Sequence, residues 1–374
     1  MSTNVWLVAN TLQAPTAGGH RWVYLNWALG LRAAGCTVTW IEGVTSDAPG
    51  SGLEANLAAL KSHLEPYGFA DSVALCSWTN EPLPLTLSAH CLPLEVASEA
   101  DLLLNLAYGL PDDLVKCVRR SAMVDIDPGL TQIWLSRGQI RVPTHDVYFT
   151  IGETVGQPGA LFPDCGLQWH YTPSPVFLPA WTPTRTDSKS PYTTITNWWG
   201  ELMEFQGQCY YNGKRGGFLP FLDLPRHTTV PLELTIGGAA HDNDCEMLRG
   251  RGWRVRDAFE IVSSPWDYQS YIRDSRGEFS CAKPSCVRLQ NAWISDRTLC
   301  YLASGKPAVV QHTGPSRFLP DSAGLFRFRD TEEAVRCLDI VEADYERQCK
   351  LARALAGEYF DARKVLTKVL ERAL

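Results

Sequence analysis

Three stretches of this sequence gather residue types that bond-making and phosphate handling require. The first is Pro15-Thr16-Ala17-Gly18-Gly19-His20, between an apolar burst at residues 5–9 and a long amphipathic segment. Adjacent glycines let backbone approach a ligand closely, and a helix beginning there points its unpaired N–H groups at an anion, typically a phosphate. Gly18 and Gly19 are therefore candidate phosphate-binding positions. His20 stands at a strand-to-helix mouth, where open α/β sheets bind ligands, and is the candidate general base. The dinucleotide pattern G-x-G-x-x-G is absent. Ser304-Gly305-Lys306-Pro307 lacks the upstream glycine of a P-loop and puts proline after lysine.

The second stretch, residues 277–314, runs strand, loop, helix, turn, strand. Ser295 and Asp296 occupy the N-cap region of the apolar helix that follows, and Gly305 with Pro307 stops that helix. Capping alone accounts for Ser295 and Asp296. It does not account for Lys283, Arg288 and Arg297 crowding the same loop and helix start. Backbone donors, a hydroxyl and a cation are what hold a diphosphate at a helix N-terminus. Lys283, Ser295, Asp296 and Arg297 are thus the candidate nucleotide-diphosphate ligands.

The third is Val124-Asp125-Ile126-Asp127-Pro128-Gly129. Asp-x-Asp after a buried strand can hold a hard divalent cation against phosphates, although aspartates also form turns at strand ends. Aromatic residues are abundant, with 13 each of Trp, Tyr and Phe. Trp134, Trp169, Tyr171, Trp198 and Trp199 fall outside periodic faces, where they either fill packing or stack on sugars and bases.

The elements that must position these residues follow from hydrophobic pattern. Short apolar bursts at 5–9, 37–41, 73–76, 102–106 and 122–126 read as buried strands, and residues 20–34 as the clearest helix, stopped by Gly35. A proline-rich stretch at 172–191 reads as an extended linker, after which strands are expected at 194–198, 232–236, 253–255, 278–281, 308–311 and 325–328. Residues 331–374 read as helical, with a break at Gly357. Alternation of this kind implies parallel sheets covered by helices. The expected division is 1–175, a linker at 176–191, 192–355, and a terminal helix at 356–374.

At 374 residues and 45% hydrophobic, the chain is long enough for two cores and is not disordered. A net charge of −7 argues against a nucleic-acid partner. No basic n-region and no long apolar run precede or interrupt the fold, so a cytoplasmic protein without a membrane span is expected. Twelve cysteines without a C-x-x-C pair read as reduced structural thiols, without disulfide or metal. The zinc-peptidase, α/β-hydrolase and EF-hand patterns are absent.

The segment Asp296–Val310, DRTLCYLASGKPAVV, resembles the signature of group-one glycosyltransferases of the GT-B fold. The opening strand, Gly-Gly turn and long helix closing on Gly35-Cys36-Thr37-Val38 resemble the start of their N-terminal domain. The G-G-H triplet is also similar to one in the inverting lipid-linked GlcNAc transferase of peptidoglycan assembly. This resemblance implies an α/β chain of two facing Rossmann-like domains, with a C-terminal helix crossing back. It further implies a sugar donor bound as a nucleotide diphosphate on the C-terminal domain, without a metal or other cofactor. Asp127 would then orient or deprotonate an acceptor hydroxyl, and Trp134 would lie on the acceptor side. Retaining members carry two glutamates seven residues apart; here Glu278 is followed by a long insertion and the helix start offers Asp296.

The expectation is therefore a glycosyltransferase moving a sugar from a nucleotide sugar, UDP favoured, to a small-molecule hydroxyl such as a nucleoside or natural product. Two alternatives stand beside it: a non-catalytic nucleotide or sugar binder, and a sugar-nucleotide epimerase on the same fold.

Overall fold

A computed structural model describes residues 2–44, 50–79, 82–238, 243–320 and 323–374. The chain forms two compact units. The first comprises residues 1–156, 162–177 and 362–374, and the second 157–161 and 178–361.

The first unit is built on a parallel sheet of seven strands. They are β1 (Asn4–Ala9), β2 (Thr37–Val44), β3 (Val73–Ser77), β4 (Leu102–Asn105), β5 (Ser121–Asp125), β6 (Val147–Thr150) and β7 (Trp169–Tyr171), in the order β3-β2-β1-β4-β5-β6-β7. Residues 5–9 of β1 are all buried, as a central strand covered on both faces demands. The Gly18–Ala33 helix packs its Trp22, Leu25 and Leu29 side into that core. It stops where Gly35 takes the left-handed φ of 94°, with Gly35 N–H donating to Arg32 O.

The terminal helix, Ala362–Ala373, returns to this unit and packs against Gly18–Ala33. The crossing is close: a Cβ at Gly30 would lie 2.8 Å from Ala362 Cβ. The Gly357 break takes the form of a wide π-helical turn, Ala356–Phe360.

The second unit repeats the plan with six parallel strands. These are β8 (Tyr192–Asn197), β11 (Leu232–Gly237), β12 (Arg254–Asp257), β13 (Gly277–Ser280), β14 (Ala308–Gln311) and β15 (Leu325–Phe328), in the order β12-β11-β8-β13-β14-β15. A separate antiparallel hairpin, β9 (Leu202–Phe205) and β10 (Gln208–Tyr211), is inserted after β8. The core of the second unit is aromatic, with Phe279 stacked on Phe328 at 5.1 Å between ring centres and Trp198 and Trp253 flanking Phe218.

Several details differ from the sequence expectation. β6, β7 and the hairpin strands were not expected; all are three or four residues long and carry polar or aromatic residues rather than an apolar burst. Strand 194–198 begins earlier, at Tyr192, and Trp198 lies beyond it in the core. The proline-rich stretch is extended but packed. Trp181 is fully buried and Lys306 Nζ donates to Thr184 O at 2.9 Å. None of the twelve cysteines is in a disulfide, and no described helix is long and apolar enough to cross a membrane.

Candidate functional site

In an open parallel sheet, ligands bind beyond the carboxyl ends of the strands where successive connections leave in opposite directions. In the second unit that point lies between β8 and β13, since the chain runs from β8 to β11 on one side and returns to β13 on the other. A small recess of about 20 Å³ opens beside that point, over the carboxyl ends of β13 and β14. It is lined by Lys214, by the carboxyl-end residues of β13 and β14, and by Trp293, Ile294, Ser295, Arg297 and Thr298. A larger groove between residues 219–227 and the Thr331–Ala343 helix is lined by no buried charge and lies on helix surfaces.

Lys214 was not singled out by sequence, and it is the distinguishing residue of the recess. Its side chain is buried, and Nζ donates to Cys281 O at 2.6 Å and lies 5.4 Å over the Trp293 ring. Burial, with Arg297 and Lys283 adding like-charge repulsion, pushes its pKa down to about 7. A buried cation pressed by two further cations is a site electrostatically short of an anion. The backbone is fitted to this. A Cβ at Gly217 would fall 2.1 Å from Ala282 O, so only glycine lets the Lys214 segment approach β13 so closely.

The rim opposite is held in an uncommon conformation. Gln290 and Ala292 both take left-handed φ, 52° and 54°. Ala292 N–H donates to Thr313 O at 3.0 Å, and Thr313 Oγ1 donates to Trp293 O at 2.6 Å. Gly314 presses on the same loop, where a Cβ would meet Gln290 O at 2.7 Å. Non-glycine residues in this region cost roughly 1–3 kcal/mol each and gather at ligand sites.

The four sequence-expected diphosphate residues are distributed unevenly. Ser295 lines the recess at the N-cap of the Asp296–Ala303 helix, yet its hydroxyl does not cap that helix, contrary to the capping expectation; Oγ lies 3.5 Å from Asp296 Oδ1. Asp296 is the first, half-buried residue of the helix. Lys283 is half-buried at the start of the Pro284–Leu289 helix and close enough to Lys214 to shift its titration. Arg297 reaches the recess wall, but its guanidinium is engaged inward. Nε donates to Glu278 Oε1 at 2.8 Å, Nη1 to Ile195 O at 2.9 Å and Nη2 to Ser280 Oγ at 2.6 Å. Burial works against that charge, while the Glu278 carboxylate beside it holds the Arg297 pKa above its ordinary value.

In the first unit the corresponding switch point lies between β1 and β4. Gly18 and Gly19 are not in a loop, as expected, but form the first turn of the Gly18–Ala33 helix, which has no side-chain cap. His20, also in that turn, is half-buried; Nε2 bonds Asn10 O at 2.5 Å and the ring meets Tyr24 edge-on. With Nε2–H donating, Nδ1 carries the lone pair. The preceding loop is anchored by a residue sequence reasoning missed. Fully buried Glu42 accepts from Thr11 N, Thr11 Oγ1, Leu12 N and Trp40 Nε1.

The two aspartates of the D-x-D stretch separate. Asp125 is fully buried at the end of β5, accepting from Gln132 Nε2 and Thr150 Oγ1, both at 2.8 Å, and from Asp127 N at 3.0 Å. Burial pushes its pKa up to about 6 against those hydrogen bonds. Asp127 is half-buried, and its backbone N–H also donates to the Tyr108 hydroxyl at 3.1 Å. Trp134 is half-buried on the Leu130–Ser136 helix that follows. His20 and Asp127 thus stand at the same sheet edge, after β1 and β5, with β4 between those strands.

No protein family and no curated protein matches the chain by sequence. Solved structures do. An α-glucosyltransferase in complex with UDP and a 13-mer DNA containing an HMU base is similar over 100% of both chains, with 11% identity and a TM-score of 0.59. A glycosyltransferase from Rickettsia africae ESF-5 is similar over 100% of this chain and 98% of its own, with 10% identity and a TM-score of 0.55. HepE of Anabaena, in complex with UDP and glucose, is similar over 99% of each chain, with 11% identity and a TM-score of 0.54. The likenesses bear out the fold read from the sequence: the chain has the GT-B fold, two parallel α/β units with the terminal helix returning to the first.

Proposed function

We propose that this chain is a glycosyltransferase that takes its sugar from a nucleoside-diphosphate sugar, UDP-sugar in first place, and passes it to a hydroxyl of a small acceptor. The observation that carries this reading is Lys214, a buried ammonium at the carboxyl end of β13, bonded to Cys281 O with two cations pressing on it. Breaking the bond between the anomeric carbon and the phosphate oxygen leaves charge on the departing diphosphate. A fixed positive group in a water-poor recess stabilises that charge without reorganising. Lys214, helped by Lys283 and the Ser295–Asp296 helix start, is the assigned donor set, so no metal is required in this scheme. Arg297 serves it by holding the recess rather than by touching phosphate.

The similar α-glucosyltransferase and HepE structures both hold UDP, which supports uridine as the donor nucleoside. The acceptor hydroxyl is assigned to the first unit. There Nδ1 of His20 takes the proton as the acceptor oxygen attacks, Asp127 orients that hydroxyl, and Trp134 contributes to acceptor binding. The net charge of −7 favours a small neutral acceptor, a nucleoside or natural product, over nucleic acid.

Titration of UDP, GDP, TDP and ADP against thermal stability tests the donor assignment. A nucleotide at 100 times its Kd adds about 2.7 kcal/mol of stability. UDP is expected to stabilise the wild type with or without Mg²⁺, and Lys214→Ala is expected to lose the effect; stabilisation that persists in that variant rejects the site.

The second reading, a non-catalytic nucleotide-sugar binder, is favoured by one observation. Glu278, the acid that begins the departed glutamate pair, is fully buried under Arg297. A binder releases no free sugar from a bound donor, whereas a transferase slowly transfers it to water.

A further inference from the structure

Trp199 stands two residues past β8 and is 48% exposed, while its neighbour Trp198 is fully buried. Both indoles are tied to one carboxylate. Trp198 Nε1 donates to Asp244 Oδ2 at 2.9 Å, and Arg215 grips the same group with two bonds, Nε on Oδ2 and Nη2 on Oδ1. The guanidinium of Arg215, so pinned, lies 5.5 Å over the Trp199 ring. On the far side Gly200 closes the turn: a Cβ there would fall 2.5 Å from Gly213 N, the backbone leading directly into Lys214.

One exposed apolar side chain needs no explanation by itself. This indole, however, is held on three counts: a locked neighbour before it, a backbone contact after it, and a fixed cation over one face. Its anchor, Arg215, is the residue next to Lys214. Holding a large aromatic plane open to solvent, anchored through the residue next to a phosphate-seeking cation, is an arrangement a ring-stacking ligand can use.

We propose that the face of Trp199 not covered by Arg215 stacks on a flat ring of the bound nucleotide sugar, the nucleobase or the sugar itself. The inference rests on the donor reading of the Lys214 recess. It makes Trp199 a residue that selects the donor rather than one that handles the phosphates.

The test compares wild type, Trp199→Ala and Trp199→Phe for binding of UDP, UDP-glucose and inorganic pyrophosphate by calorimetry. Trp199→Ala should weaken UDP-glucose roughly tenfold or more and leave pyrophosphate unchanged, while Trp199→Phe stays within about threefold of wild type. Equal weakening of UDP identifies the nucleobase as the stacked ring; weakening of UDP-glucose alone identifies the sugar. Unchanged binding of both, in a variant with wild-type Tm, overturns the inference and leaves the recess standing. Equal loss of pyrophosphate also overturns it, because the substitution would then act through Lys214. A wild type that binds none of the three overturns the donor reading and this inference with it.

Discussion

Arg297 Nε donates to Glu278 Oε1 across 2.8 Å, joining the first turn of the Asp296–Ala303 helix to β13 inside the second unit. The same guanidinium holds Ile195 O of β8, so one side chain clamps both strands that border the switch point. Such a pair is weak evidence of net stability, because two charges are desolvated to make it. Removing one partner is different, since the other charge remains buried and unpaired. Arg297→Met is therefore expected to cost about 3–5 kcal/mol in urea unfolding. The double variant Arg297→Met, Glu278→Gln should recover much of that loss. A single variant as stable as wild type would show that the clamp holds nothing.

If the Lys214 recess takes the donor as proposed, donor affinity should depend on pH. Its pKa of about 7 reflects burial first and the charges of Arg297 and Lys283 next. A donor diphosphate favours the protonated amine, so binding above pH 7 must take up a proton and affinity should fall as pH rises from 6.5 to 8.5. UDP-glucose is the suitable probe, as its phosphates do not titrate in this range. Stability moves the opposite way. The folded pKa lies below the unfolded value of 10.5, so the unfolded chain binds more protons between pH 7 and 10.5. The penalty for burying Lys214 is full below pH 7 and shrinks as pH climbs through that window. Lys214→Met should thus raise Tm over wild type more at pH 6 than at pH 9.5, and should flatten the pH dependence of UDP-glucose binding. An equal Tm difference at both pH values would contradict the assigned titration.

Gly217 carries a separate prediction. Its Cα faces Ala282 O so closely that a methyl group would sit 2.1 Å away, on backbone that cannot rotate aside. Gly217→Ala should destabilise the fold by about 1–3 kcal/mol through overpacking. It should also weaken UDP binding, because the shift lifts Lys214 from Cys281 O. Gly207→Ala, at a hairpin glycine with open space around it but a φ of 71°, is the control. It should cost stability without changing UDP affinity.

Much of this fold is legible because a buried parallel strand is a burst of apolar residues and a covering helix repeats every three or four. The residues at 5–9 and 20–34 carry those signals plainly. β7, three residues reading Trp-His-Tyr at a sheet edge, carries none. The site is harder for a different reason. Arg297 looks like a phosphate ligand in sequence because the acid that claims it stands 19 positions earlier on another strand. Lys214 looks like an ordinary turn lysine because its burial depends on Cys281 and Ala282, more than 65 positions away. Trp198 and Trp199 are identical letters side by side. Only the end of β8 decides which enters the core. The Gly-Gly-His turn announces its chemistry locally, but Glu42, which fixes the loop before it, lies on the next strand and leaves no local mark.

His20 and Asp127 can be separated by kinetics once a donor is known. His20 is anchored through Nε2 on Asn10 O, leaving Nδ1 as the proton acceptor. His20→Ala is expected to lower kcat roughly 10²–10⁴-fold, the range for a lost general base, while the Kd for UDP stays within about twofold. Asp127→Asn keeps the side-chain volume and the backbone bond to Tyr108, so its loss should be smaller and should appear in acceptor KM as well as kcat. Steady-state transfer and donor hydrolysis measured side by side distinguish the two roles. Loss of a base slows transfer to the acceptor and to water together, whereas loss of an orienting group slows only transfer to the acceptor. An unchanged kcat in His20→Ala would remove this histidine from the reaction and move the search for a base to Asp127.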